Sequence, residues 1–159
     1  MSSAAVAQDT TVDPVGAYLC KLTASAGLQL NQERTAWSGT IFSVADEAVL
    51  MKITDADQPG TYKTVTDVPF RRYQITFKDF GSATDPRGCV SSFLTEDGMN
   101  SDDIAILGGR FQCRYFNTTY QVDLDLKRLL VTFEGGYLDN WAENRDTPYI
   151  AAGVCEKVS

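Results

Sequence analysis

One stretch sets the limits on what this chain can become. From Gly108 to Tyr137 it reads GGRFQCRYFNTTYQVDLDLKRLLVTFEGGY, and its apolar residues recur with period two in three successive runs. Phe111, Cys113 and Tyr115 share one parity, then Tyr120, Val122, Leu124 and Leu126, then Leu129, Val131 and Phe133. Gln121, Asp123, Asp125 and Lys127 fall between them and point the other way. Successive side chains of a strand face opposite sides, so this is the pattern of antiparallel strands with one face on a core and one in water.

The rest of the chain extends the theme. Gly16 to Thr23 is a strand candidate with Tyr18, Cys20 and Leu22 on one face, followed by a small, polar turn region from Ala24 to Arg34 around Gly27. Trp37–Val44 and Ala48–Thr54 form an expected hairpin across Asp46-Glu47. Asp55–Gly60 has the composition of a turn, and Tyr62–Val68 that of a short strand ended by Pro69, which suits an edge. Arg71–Lys78 alternates with Tyr73, Ile75 and Phe77 inward, Asp79–Gly88 is a loop, and Cys89–Leu94 and Tyr149–Cys155 are further strands. Leu94–Leu107 has room for one helical turn, and no long segment has a 3.6-residue period. The expected fold is all-β: one antiparallel barrel or two-sheet sandwich of about eight to ten short strands. Residues 1–15 are read as an arm, flexible or docked on a partner, ahead of a single domain at 16–159.

Charge and composition narrow the function. The chain has 159 residues, 43% hydrophobic and 22% charged, enough for one domain with its own core and far from a disordered composition. A net charge of -7 argues against nucleic acid, whose phosphates need clustered Lys and Arg. The pairs Arg71-Arg72 and Lys127-Arg128 are isolated. No apolar run is long enough for a spanning helix, so membrane insertion by a helix is not expected. Histidine is absent, which removes the commonest general base and metal ligand and every Ser-His or Cys-His nucleophile. The expectation is a protein that is not an enzyme.

Four cysteines, Cys20, Cys89, Cys113 and Cys155, form no C-x-x-C pair, and without histidine a structural zinc site is not expected. Four cysteines allow three connectivities. Cys20 with Cys155 would close the chain by joining its first and last strands, and Cys89 with Cys113 would join consecutive strand candidates. That pairing is favoured over the other two, and over four buried thiols in a reducing compartment. A bridge closing so long a loop contributes on the order of 4 to 5 kcal/mol in the chain-entropy model.

Other residues invite a chemical reading beside a plainer one. Asp139, Asn140, Glu143, Asn144 and Asp146 supply oxygen ligands at a density that could hold Ca²⁺, yet the EF-hand register is absent, and Asp and Asn also form turns. The acidic loop of Glu96, Asp97, Asn100, Asp102 and Asp103 is a weaker candidate. No other cofactor is implied. Glu134, near Trp141, is the natural member of a glycosidase-type carboxylate pair, although 21 acidic residues guarantee chance candidates. Asn117-Thr118-Thr119 is a glycosylation triplet or simply a turn. The aromatics Trp37, Phe42, Phe77, Phe111, Tyr120, Phe133 and Tyr137 read as core. Trp141, in a polar loop, reads as an exposed anchor for a partner.

Ala5-Val6-Ala7 is an A-x-A pattern of the kind that signal peptidase cuts after, without a charged and apolar lead before it in these residues. The chain also resembles small exported bacterial β-rich proteins of uncharacterised function. The resemblance rests on AYLCKLTASAGL, the AVLMKIT run, Phe111–Cys113, Tyr120–Val122, Gly136-Tyr137, Asp146-Thr147-Pro148 and Gly153–Lys157. It implies export, to the periplasm or outside the cell, and disulfides, and it carries no activity. The expected function is therefore a non-enzymatic envelope domain that binds a protein, inhibitor-like or adaptor-like. The acidic charge suits a basic partner. A structural subunit of a virion or surface layer, formed by self-association, is the alternative, and a carboxylate-pair hydrolase ranks last.

Overall fold

The computed structural model describes residues 13–62, 68–92, 101–143 and 146–159. All of its regular elements are strands: β1 (Gly16–Leu30), β2 (Trp37–Phe42), β3 (Ala48–Tyr62), β4 (Val68–Asp79), β5 (Arg87–Gly88), β6 (Val90–Ser91), β7 (Ile104–Ala105), β8 (Arg110–Tyr115), β9 (Thr118–Asp123), β10 (Arg128–Phe133) and β11 (Tyr149–Lys157). They form one antiparallel sheet in the order β5-β4-β3-β1-β11-β10-β9-β8-β6, with β2 beside β1 and β7 beside β4.

The two ends of that order meet. Residues 87–91 run without a break from β5 on β4 to β6 on β8, with the Cys89 N–H donating to the Ile75 carbonyl in between (2.8 Å). β7 resumes the same line along β4, where Tyr73 faces Ile104 and Arg72 faces Ala105. Segments 87–91 and 104–105 thus act as two pieces of one stave, with an excursion between them that is tied by the Ser91 N–H to the Ser101 carbonyl (2.7 Å). The sheet curls into a nearly closed barrel, and the sandwich alternative is set aside.

Alternation fills the interior. Tyr18 and Cys20 of β1, Met51 and Ile53 of β3, Ile75 and Phe77 of β4, Val122 of β9 and Val131 of β10 belong to one buried cluster. The three runs between Phe111 and Phe133 become β8, β9 and β10 with the expected parity. Leu126 differs: β9 ends at Asp123, whose carboxylate accepts the Leu126 N–H, and the turn leaves Leu126 exposed.

Both disulfides pair as favoured. Cys20 and Cys155 face each other across β1 and β11, and Cys89 bonds to Cys113, joining the closing segment to β8. No cysteine is left free. Such bridges persist in an oxidising, exported environment.

Several local expectations are corrected. Ala24–Leu30 is strand, not turn: β1 continues to Leu30 after a bulge between Leu22 and Ala24. The Trp37–Val44 run pairs with β1, not with Ala48–Thr54, so β2 and β3 lie one after the other along the same edge of β1. Asp55–Gly60 also stays in its strand, which passes an irregularity between Asp55 and Pro59 and ends at Tyr62. Residues 63–67, within the proposed short strand, and 93–100, at the end of the proposed Cys89–Leu94 strand and the start of the proposed helical turn, lie outside the described residues. So do residues 1–12 of the arm, whose last part is held to the barrel. The Tyr18 hydroxyl donates to the Pro14 carbonyl (2.8 Å), and Lys157 donates to that of Asp13 (3.0 Å).

Candidate functional site

Barrel closure brings the ends of strands far apart in sequence to one open mouth, a cavity of about 770 Å³. Its floor is Tyr120, which lies against Phe77 with ring centroids 3.8 Å apart and planes 5° from parallel. Its walls carry Tyr115 from β8, Phe133 from β10 and Tyr149 from β11. Phe133 and Tyr149 are register partners whose rings lie 5.7 Å apart. Phe116, at the two-residue β8–β9 turn, is 82% exposed and meets Tyr115 edge-on at 4.7 Å.

The charged groups among the described lining residues are mostly acidic. Asp46, Glu47, Asp79 and Asp146 line it against one guanidinium, Arg87. Arg87 donates to both Asp79 oxygens (3.1 and 3.0 Å) and reaches the Tyr120 hydroxyl at 3.4 Å. The pairing with Asp79 holds the Arg87 pKa above its ordinary value. Burial pushes the Tyr120 phenol up, with Arg87 pulling the other way. Burial also raises Tyr149, and Asp79 adds to the effect. Buried phenols with charged neighbours in a barrel mouth are the kind of convergence that marks a binding site. Sequence reasoning assigned Tyr120 and Phe133 to the core and passed over Arg87 and Tyr149. No local signal joins residues that only closure brings together.

A second surface covers the outside of the sheet. The bulge in β1 reverses parity, so Ser25 becomes buried while Ala24 and Ala26 face out. Register then sets Ile41, Ala26 and Ile150 in one outward row, and Ala24, Ala152 and Leu130 in the next. Ile41 is 87% exposed, and Ile150 and Val154 are about half exposed. A shallow groove of about 970 Å³ runs over Leu130, Ala152 and Val154.

Trp141 sits where the β1–β2 hairpin meets the loop after β10. Trp37 and Trp141 pack edge-on at 5.9 Å, and Tyr137 lies 5.7 Å from Trp37. The Arg34 guanidinium donates to the Trp141 carbonyl (2.6 Å), and the Trp141 indole N–H donates to that of Tyr137 (2.7 Å). Trp141 is thus half-buried in an aromatic cluster, not a lone exposed anchor. Tyr137, read as core, is about half exposed instead. The next residue, Leu138, is 93% exposed.

Two of the proposed calcium ligands, Asp139 and Asn140, are engaged as turn formers. Asp139 accepts the Gly136 N–H (3.1 Å), Asn140 accepts that of Ala142 (3.1 Å), and the Glu143 N–H closes a turn onto the Asn140 carbonyl. Asn144 lies outside the described residues, and among those described no group of three or more His, Cys, Asp or Glu side chains could hold a metal ion. In the other acidic loop Asp103 pairs with Arg72 (2.9 Å), and residues 96, 97 and 100 lie outside the described set. Glu134 is exposed on the strand end where its N–H meets the Asn117 carbonyl, and Asn117 occupies the tight β8–β9 turn. The basic pairs are divided among acids: Arg71 with Asp55, Arg72 with Asp103, Lys127 with Glu156.

Comparison with known proteins gives no match: no family model, no curated protein and no solved structure is significantly similar to this chain.

Proposed function

We propose that the protein is an exported, non-catalytic barrel that binds another protein. The observation that carries this reading is the outward apolar face of β2, β1, β11 and β10, where Ile41, Ile150, Val154 and Leu130 crowd around small alanines. An alternating sheet normally turns polar residues to water, and contiguous exposed apolar surface marks an interaction site. The small residues make the face flat enough for a partner to approach closely. Two disulfides favour a periplasmic or extracellular setting. Absence of histidine removes the commonest general base.

The experiment compares the immobilised native chain with an I41E/V154E variant of unchanged circular dichroism as capture surfaces for envelope and secreted fractions of the source cells. A protein retained by the native chain and lost from the variant, with one-to-one stoichiometry when purified, is the expected result. Equal capture by both surfaces would sink the reading. Self-association through the same face, seen by sedimentation and abolished in the variant, would replace it with the assembly-subunit reading.

A further inference from the structure

We infer that the barrel mouth receives a basic side chain, a lysine or arginine, presented by the protein partner. This deepens the reading above and rests on it for the identity of the partner as a protein. The mouth combines two features that select a cation. Its walls present the rings of Tyr115, Phe133 and Tyr149, and the face of an aromatic ring is its negative side. Its rim adds carboxylates from three separate places: Asp46 and Glu47 on the β2–β3 connection, Asp79 at the end of β4, and Asp146 ahead of β11. Among the described lining residues Arg87 is the single cation, and Asp79 engages it through both oxygens. Asp46 and Glu47, both exposed, keep the rim negative.

Charge complementarity excludes the other occupants. An anion would enter against four carboxylates and meet one guanidinium already paired. A neutral sugar could stack on the rings, but it brings no charge to answer the carboxylates of Asp46 and Glu47. An aliphatic ammonium or a guanidinium satisfies both features: its stem lies along the rings and its head reaches the rim. The mouth and the apolar outer face both draw on β11. Tyr149 turns inward to line the cavity and Ile150, the next residue, turns outward. One partner can therefore cover the face and insert a side chain over the lip.

The test titrates the full chain with acetyl-Gly-Arg-Gly-amide, acetyl-Gly-Lys-Gly-amide and the neutral acetyl-norleucine isostere, read by amide chemical shifts. Expected are millimolar binding of the two basic peptides, weakening with added salt, and shifts centred on Glu47, Phe133 and Tyr149. The exposed-rim variant D46N/E47Q should weaken binding about three- to tenfold with the fold intact, while Leu126→Gln, in the exposed turn after β9, should leave it unchanged. Equal binding of the norleucine peptide, preference for a chito-oligosaccharide, shifts centred elsewhere, or no saturable binding would each overturn the inference. The capture experiment is independent: loss of peptide binding with capture retained overturns only the cation site, and the reverse overturns only the protein-binding reading.

Discussion

The rings of Phe77 and Tyr120 lie parallel at 3.8 Å, joining β4 to β9 across the barrel interior although no ladder connects those two strands. Adjacent staves are held by backbone hydrogen bonds, but opposite walls are held only by what packs between them. This pair therefore carries part of the closure as well as the floor of the mouth. Phe77→Ala should cost about 3 to 5 kcal/mol by leaving a void in a fully buried site. Tyr120→Phe keeps the stack and removes only the long contact with Arg87, so its cost should stay near 1 kcal/mol. Urea unfolding of the two variants checks the ordering, and comparable losses would show that the hydroxyl, not the stack, holds the floor.

The two disulfides should differ in worth. Cys20–Cys155 spans 135 residues and Cys89–Cys113 spans 24. Chain-entropy reasoning assigns them about 5 and about 3.5 kcal/mol respectively. Paired Cys→Ala variants, unfolded in denaturant without reductant, should show the larger loss for the terminal bridge. The shorter bridge has a second role, because it ties the closing segment to β8, where two register pairs join them among the described residues. Its removal should raise hydrogen exchange locally at 87–91 and 113 before global stability falls.

Much of this fold is legible in sequence wherever large apolar residues alternate without interruption. From Phe111 to Phe133 parity follows from pattern everywhere but at Leu126, where β9 has already ended, because inward positions are apolar and nearly every outward one polar. The second half of β1 is illegible for two physical reasons. The bulge after Leu22 reverses parity, and Ala24-Ser25-Ala26-Gly27 is too small to give either face a hydropathic signature. Asp55–Gly60 misleads similarly, since turn-forming residues there sit at an irregularity within a strand. Trp141 can be picked out as an aromatic in a polar loop. The mouth cannot, because Asp79, Arg87, Tyr120 and Tyr149 converge only after closure.

The same stretch yields a matched test. Gly27 and Gly39 are close neighbours on the β1–β2 ladder, Gly27 opposite Thr40 and Leu28 opposite Gly39. A Cβ at Gly27 would run into the Pro148 carbonyl oxygen and lie 2.8 Å from the Tyr149 Cα, whereas one at Gly39 would meet nothing within 4 Å. Backbone cannot yield as a flexible side chain does. Gly27→Ala should therefore lower stability by about 2 kcal/mol or more, and Gly39→Ala should be neutral or stabilising by up to about 1 kcal/mol. Thermal melts of the two variants decide it; equal and small effects would mean that β11 does not approach β1 this closely.

Stability should also fall on the alkaline side. Burial raises the phenol pKa of Tyr18, Tyr73, Tyr120 and Tyr149 above the ordinary value near 10. Above about pH 10 the unfolded chain has released these protons while the folded chain still holds them. The unfolded state then binds fewer protons, and linkage makes the stability decrease as pH rises through that window, having been fully present below it. Urea midpoints of the native chain should be level between pH 8 and 9 and drop at pH 10 and above. Tyr120→Phe removes one of these groups, so its decline should be shallower, and titration of lysines, common to both proteins, cancels in the comparison. Parallel declines would show that Tyr120 ionises no later in the barrel than in the unfolded chain, contrary to its place beneath the mouth.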